Sequence, residues 1–119
     1  MRFLIVIFIM YRLLAGSTAD SLKAVVERSE GKVRREKSVE LANFLIASDD
    51  SLAFEYINKA IDYAETENEP ALLMKARYTK GDVFFNTEDF KTAGEEYKNS
   101  LIIAEKLNGC EVEWYKKGN

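Results

Sequence analysis

Residues 76–107 read ARYTKGDVFFNTEDFKTAGEEYKNSLIIAEKL. An earlier part of the chain carries the same pattern of small and large residues at a fixed offset of 40 residues. Small residues recur in register, with Ala53 repeated as Ala93, Ala60 as Ser100 and Ala64 as Ala104. Large apolar residues recur as well, with Phe44 repeated as Phe84, Ile57 as Tyr97 and Ile61 as Leu101. Small side chains allow helices to approach closely, and large apolar ones fill the space between them. A period of this length is therefore typical of a repeated helical hairpin.

The spacing of apolar residues predicts helices along the chain, and no stretch alternates long enough to predict a strand. We expect helices over about residues 21–30, 34–47, 51–67, 71–85 and 90–107. Residues 49–51 suit a helix N-cap, because a short side-chain oxygen can accept a free backbone N–H. Gly31 is expected to end the first helix and Pro70 to open the fourth, where its missing N–H has no cost. Asn108 and Gly109 form a suitable C-cap for the last helix.

The composition predicts one packed domain with an acidic surface. The 119 residues leave room for a single domain, and a content of 47% hydrophobic and 31% charged residues argues against disorder. The net charge is −3, and it becomes −5 without residues 1–19, which carry Arg2 and Arg12 but no acid. The negative electrostatic field of such a chain repels phosphate backbones, and the sequence has no long run of basic residues to offset it. A nucleic-acid partner is therefore not expected.

The reactive side chains in the sequence argue against an enzyme. Histidine is absent, and the single cysteine, Cys110, has no histidine to activate it. No glycine-rich phosphate loop is present, and acid pairs such as Glu95 and Glu96 are typical of a solvated helix face. We expect no catalytic residue, no metal and no cofactor, so a small enzyme is the least favoured class.

The amino terminus has the features of a secretory signal peptide. Met1 and Arg2 give a positive start, residues 3–10 are an unbroken apolar run, and residues 17–19 offer small side chains for cleavage. The run is shorter than the roughly 20 residues of a membrane-spanning helix, so no integral membrane segment is expected. We therefore expect an exported chain, periplasmic or secreted. If residues 3–14 are instead a first core helix, the chain would be cytoplasmic.

The quoted stretch resembles the tetratricopeptide repeat, in which small and aromatic residues occupy set places along two helices. The matching residues of the second repeat are Gly81, Phe84, Phe90, Ala93, Tyr97 and Ser100, and those of the first are Ala53, Ile57 and Ala60. Arg77 and Lys80 depart from the pattern, which favours bulky apolar residues there, and the offset exceeds the usual period of about 34 residues. The resemblance implies that Gly81 and Ala93 allow close helix packing, with Phe84 and Tyr97 filling the space beside them. It implies an all-α, right-handed array that binds proteins or peptides.

A narrower resemblance concerns the order of segments. A signal peptide, a short helix opening at Asp20 and then such repeats are similar to the exported region of Bacteroidetes-type sensor proteins. The division would be a signal peptide (1–19), a leading helix (20–33), a first repeat (34–69), a second repeat (70–109) and the start of a third repeat or a truncated tail (110–119). The resemblance implies the input part of a larger signalling protein. The alternative is a free-standing exported adaptor or a component of an envelope assembly.

The resemblance also implies where a partner would bind. Tetratricopeptide arrays bind along a concave face formed by the first helix of each repeat. By register this face would present Lys75, Tyr78, Asp82 and Phe85 in the second repeat, and Arg35, Ser38, Ala42 and Leu45 in the first. Two aromatic rings framed by a base and an acid could hold an extended or helical peptide. Alternatively, Phe85 and Leu45 are ordinary packing residues and the charges only solvate the face.

Two patterns limit the choice of partner. The family's chaperone-binding members use a lysine–asparagine clamp, but Ala42 and Asp82 hold the places where asparagine would be expected. A chaperone-tail receptor is therefore disfavoured. Val112, Trp114 and Tyr115 resemble the beginning of a third repeat, and they leave an apolar end through which the chain could self-associate.

Overall fold

The computed structural model describes residues 19–107, which form five α-helices and contain no strand. The helices are α1 (residues 19–28), α2 (Gly31–Leu45), α3 (Asp50–Thr66), α4 (Pro70–Asn86) and α5 (Phe90–Leu107). The all-α prediction is confirmed over this range. Most of the predicted signal peptide (residues 1–18) and the predicted third repeat or tail (110–119) lie outside the described residues.

Two helix starts repeat each other at the 40-residue offset. The Asp49 carboxylate accepts a hydrogen bond from the Leu52 backbone N–H at 3.1 Å, at the start of α3. The Asp89 carboxylate accepts one from the Thr92 backbone N–H at 3.3 Å, at the start of α5. Each aspartate satisfies a donor that the first helical turn leaves free. The N-cap predicted at residues 49–51 is confirmed, and the same chemistry recurs at the start of α5.

The junction between α1 and α2 differs from the sequence prediction. Helix α1 ends near Ser29, whose hydroxyl donates a hydrogen bond to the Val25 carbonyl oxygen at 2.6 Å. Gly31 has a φ of +60°, a left-handed conformation that glycine adopts without steric cost. The chain turns there and α2 begins at once, so residues 31–33 belong to α2 and not to the leading helix. The predicted start near Arg34 is therefore three residues late.

From α2 onward, consecutive helices pack on one another. The tightest associations are α4 with α5 and α2 with α3, and α3 also packs on α4, while α2 reaches α4 as well. One buried apolar cluster runs through α2, α3 and α4, and its members are Val39, Ala42, Ala53, Ile57, Ala60, Ile61, Ala64, Leu72, Ala76 and Val83. The two helical pairs, α2–α3 and α4–α5, therefore share a core.

Side chains of α3 and α4 connect the two pairs. The rings of Phe54 in α3 and Phe84 in α4 lie 4.9 Å apart between centroids. Arg77 in α4 forms ion pairs with Glu65 in α3 at 3.1 Å and with Glu96 in α5 at 3.3 Å. These contacts hold α4 between α3 and α5, which positions the face of α4 that lies opposite α2. No helix within residues 19–107 combines the length and the apolar character that crossing a membrane requires.

Candidate functional site

A groove of about 400 Å³ lies between α2 and α4. We call it the α2–α4 groove, and its lining residues are Glu36, Val39, Glu40, Asn43, Leu72, Met74, Lys75, Tyr78, Thr79 and Ser100. Val39, Leu72, Thr79 and Ser100 are buried, whereas Glu40, Asn43, Lys75 and Tyr78 are exposed. The groove therefore has a mostly apolar base, and charged, amide and aromatic groups stand along its edges.

Two serine hydroxyls beside the groove donate hydrogen bonds to backbone carbonyl oxygens, one between helices and one within α2. The Ser100 hydroxyl of α5 donates to the Met74 carbonyl oxygen of α4 at 2.9 Å. The Ser38 hydroxyl donates to the Arg34 carbonyl oxygen within α2 at 2.7 Å. In residues 19–107 no buried side-chain nitrogen or oxygen lacks a hydrogen-bond partner. Because its buried polar groups are already satisfied, the groove suits a ligand that brings an apolar side chain to its base.

Tyr78 is the largest exposed side chain of the groove, with 55% of its surface accessible. Its ring lies 5.1 Å from the ring of Tyr97, with an angle of 50° between the planes. Tyr97 in turn donates a hydrogen bond from its hydroxyl to the Asp82 carboxylate. Burial, and then this hydrogen bond, raise the pKa of Tyr97 well above its ordinary value. The Tyr97 hydroxyl is thus fixed by Asp82, and its ring packs against the ring of Tyr78.

The charges along the groove are not equivalent. Glu36 lies 3.9 Å from Lys32, and Glu40 lies 3.2 Å from Lys37, so both acids of α2 have basic neighbours on their own helix. Lys75 forms no ion pair within the described part of the chain and is exposed. Lys75 is therefore the charged lining residue of the groove that has no ion pair in the described part of the chain.

The structure brings together two of the four residues predicted to bind a partner. Lys75 and Tyr78 line the α2–α4 groove, but Asp82 and Phe85 do not. Asp82 accepts the hydrogen bond from Tyr97. Phe85 lies at the end of α4 with 58% of its surface exposed, and its ring meets that of Phe90 edge-on at 5.2 Å.

The first-repeat part of the predicted face needs a correction. Ser38 and Ala42 are completely buried, because α2 packs against both α3 and α4. Arg35 lines a separate shallow recess together with Lys59 and other residues of α3. These positions of α2 therefore cannot present side chains to the groove.

Sequence reasoning missed Glu36, Glu40 and Asn43, which form the α2 edge of the groove. Their spacing of i, i+4 and i+7 places them on one helix face. This face is adjacent to the face of α2 that was predicted to bind, which carries Arg35, Ser38 and Ala42. That spacing was visible in the sequence. The sequence does not show how α2 is rotated about its axis, and this rotation decides which face of α2 meets α4.

The residues expected to pack the repeats lie inside the helical pairs. Ala53 and Ala60 are completely buried, and Ala93 and Ser100 are 1% and 5% exposed. Gly81 lies against the ring of Tyr97, and a Cβ atom at this glycine would come within 2.6 Å of the ring. Phe84 packs across to Phe54 of the first pair.

Comparison with known proteins assigns no family. No protein-family model, no curated protein and no solved structure matches the chain. Within residues 19–107 no group of three or more histidine, cysteine, aspartate or glutamate side chains is arranged to hold a metal ion.

Proposed function

We propose that the chain is a tetratricopeptide-type interaction module that binds a peptide segment of a protein partner in the α2–α4 groove. The observation that carries the proposal is the groove itself, with buried Val39 and Leu72 at its base and exposed Tyr78 and Lys75 at its edge. Tyrosine supplies a large contact area and loses little side-chain entropy on binding, so it is a common anchor of interfaces.

The charge pattern defines the chemistry of the partner segment. Both glutamates of the groove already have basic neighbours, whereas Lys75 has no ion-pair partner in the described range. A segment that places an apolar side chain over Val39 and Leu72 and a carboxylate beside Lys75 would complement both features. We therefore propose an apolar side chain flanked by an acidic residue as the element that is recognised.

The binding proposal is tested with peptides selected from a random display library against the purified chain. The dissociation constant of each labelled peptide is then measured by fluorescence anisotropy. Tyr78→Ala and Lys75→Glu should each weaken binding about tenfold or more, which corresponds to about 1.4 kcal/mol. Phe85→Ala and Lys91→Glu change an exposed aromatic and an exposed lysine outside the groove, and should leave the affinity unchanged.

Two results would reject this function. One is a set of selected peptides that bind Tyr78→Ala and Lys75→Glu as tightly as the unchanged protein. The other is a selection that yields no specific peptide at all. Selected peptides without acidic residues would reject only the assignment of the partner's charge, provided that Tyr78→Ala still weakens their binding.

We further propose that this module is the exported input region of a larger signalling protein, with a free-standing exported adaptor as the alternative. The support is the resemblance in segment order and the apolar run of residues 3–10. Sequencing the coding DNA beyond codon 119 separates the two proposals. An open frame into a membrane helix and an output domain supports the first, and a stop codon supports the second. Mass spectrometry of the mature chain tests export, because a first residue near Asp20 requires cleavage.

A further inference from the structure

The connection between α4 and α5 carries two exposed aromatic rings. Phe85 lies in the last turn of α4 and Phe90 is the first residue of α5, and each has 58% of its surface exposed. Their rings meet edge-on, with 5.2 Å between the centroids and 69° between the planes. Neither residue lines the α2–α4 groove. The two rings therefore form a separate apolar surface, more than half of which the described part of the chain leaves open.

Hydrogen bonds hold the chain between the two rings in one conformation. The Asp89 backbone N–H donates to the Phe84 carbonyl oxygen at 3.0 Å, and the Glu88 backbone N–H donates to the Phe85 carbonyl oxygen at 3.1 Å. The Thr87 hydroxyl also donates to the Phe84 carbonyl oxygen, at 3.0 Å. Because the loop is already ordered by these bonds, a partner that binds there has less conformational entropy to remove.

The charges around the two rings are mostly negative. The Asn86 side chain donates a hydrogen bond to the Ile46 carbonyl oxygen, so the α2–α3 and α4–α5 loops lie at the same end of the molecule. Residues 45–53 and 84–92, which include both loops, carry four acids and one base, a net charge of −3, and these are Asp49, Asp50, Glu88, Asp89 and Lys91. None of the four carboxylates forms an ion pair within residues 19–107. A field of this sign attracts a cationic partner and repels an acidic one.

Glu88 occupies its place in the loop at a conformational cost. Its φ is +65°, in the left-handed region that residues with a Cβ atom rarely adopt. Within residues 19–107 the other non-glycine residue with a positive φ is Asn68, and asparagine tolerates this conformation better than glutamate does. Glycine would remove the cost altogether. The chain thus has a carboxylate between Phe85 and Phe90 at a position where folding alone favours glycine.

We propose that Phe85, Glu88, Asp89 and Phe90 form a second docking surface, which we call the Phe85–Phe90 corner, and that it binds an arginine-bearing segment of a protein partner. A guanidinium stacks on an aromatic face and keeps its charge close to neighbouring carboxylates. The methylene stem of the arginine covers apolar surface at the same time. The corner therefore selects a basic segment, whereas the α2–α4 groove offers Lys75 and selects an acidic one.

The test measures by fluorescence anisotropy how the full chain binds a labelled peptide of alternating arginine and leucine. The same peptide with citrulline, an uncharged analogue of arginine, is the matched probe and should bind much more weakly. Phe85→Ala and Phe90→Ala should each weaken binding of the arginine peptide about three- to tenfold, because each removes an aromatic face. Asp89→Asn removes a charge but retains an N-cap side chain for α5, and should weaken binding about threefold. Lys91→Glu makes the surface more negative and should strengthen binding by a similar factor.

Glu88→Gly separates binding from folding. It relieves the positive φ, so the midpoint of urea unfolding should rise, while the affinity for the arginine peptide should fall about threefold. Glu27→Gln removes the charge of an exposed acid in α1 and should leave this affinity unchanged. Tyr78→Ala, which alters the α2–α4 groove, should leave it unchanged as well. The failure of this proposal and the failure of the groove proposal are therefore distinguishable.

Four results would overturn the proposal. An arginine peptide that binds Phe85→Ala and Glu88→Gly as tightly as the unchanged protein would place its site elsewhere. Equal affinities for the arginine and citrulline peptides would show that the charge is not recognised, and no binding at about 1 mM peptide would leave the surface without this ligand. A molecular mass that light scattering finds larger in the unchanged protein than in Phe85→Ala would assign the corner to a second copy of the chain. If Phe85→Ala does not fold, the affinity of Glu88→Gly still decides the question.

Discussion

Gly81 illustrates how a single residue sets the distance between α4 and α5. The ring of Tyr97 lies so close to Gly81 that a Cβ atom at this position would be only 2.6 Å from the nearest ring carbon. The ring cannot swing away freely, because its hydroxyl is bonded to Asp82 and its face packs on Tyr78. The glycine that weakens the helix interior is therefore needed for the close packing that supports the groove.

This argument predicts opposite effects for two glycine-to-alanine changes. Gly81→Ala crowds Tyr97, which costs about 1–3 kcal/mol, while alanine favours the helix by about 1 kcal/mol. We expect a net loss of about 0–2 kcal/mol in the free energy of unfolding. Gly94→Ala meets no atom within 4 Å and should stabilise the protein by about 0.5–1 kcal/mol. Urea unfolding followed by circular dichroism measures both, and a Gly81→Ala variant as stable as Gly94→Ala would contradict the packing argument.

Helix ends were predictable wherever a side chain determines them. Asp49 and Asp89 cap α3 and α5, and Pro70 opens α4, so these starts are within a residue or two of their predicted places. The start of α2 was predicted wrongly because Gly31, which was expected to end the first helix, is the first residue of α2, while α1 already ends at residue 28. The φ of +60° at Gly31 cannot be read from the sequence. The sequence predicted only part of the α2–α4 groove, because the rotation of a helix about its axis, like a backbone dihedral angle, cannot be read from the sequence. Lys75 and Tyr78 follow from the repeat register, whereas the α2 edge depends on how α2 is rotated against α4.

Arg77 shows how a departure from the sequence pattern is accommodated at the scale of whole helices. The repeat pattern favours a bulky apolar residue at this position. The guanidinium instead joins Glu65 of α3 and Glu96 of α5, and the Glu96 side chain is only 12% exposed. One guanidinium, which donates to a carboxylate on either side, thus links three helices at a place where apolar packing was expected.

Arg77→Met should therefore destabilise the protein although it restores an apolar residue. It leaves the nearly buried Glu96 carboxylate without its ion-pair partner, and we expect a loss of about 1–2 kcal/mol. Adding Glu96→Gln should recover part of that loss. Lys59→Met, which removes the exposed pair with Glu55, should change stability by less than about 0.5 kcal/mol. Equal losses for Arg77→Met and Lys59→Met in urea unfolding would show that the three-helix link has no stabilising role.

At the scale of the molecule, the two helical pairs are connected through α3 and α4. The shared cluster joins α2, α3 and α4, and Asn86 of α4 donates a hydrogen bond to the Ile46 carbonyl oxygen at the end of α2. Lys32 of α2 pairs with Glu69 before α4 at 3.1 Å, which raises the pKa of Lys32. Within residues 19–107 the buried cluster includes residues of both pairs, so the interface between the pairs contributes to stability together with the packing inside each pair.

The ring contact of Phe54 with Phe84 is the part of that interface most easily removed. Phe54→Ala should lower the free energy of unfolding by about 2–3 kcal/mol, below the range for fully buried phenylalanine because Phe54 is only half-buried. Since the deleted ring belongs to the interface, it should also separate the unfolding of the two pairs. Hydrogen exchange followed by mass spectrometry would then give different opening free energies for peptides of α2–α3 and of α4–α5. Phe44→Ala is the matched control, because it deletes the same ring at a 56% exposed position and should leave both values nearly unchanged. If Phe54→Ala and Phe44→Ala give the same exchange pattern, the interface does not couple the pairs.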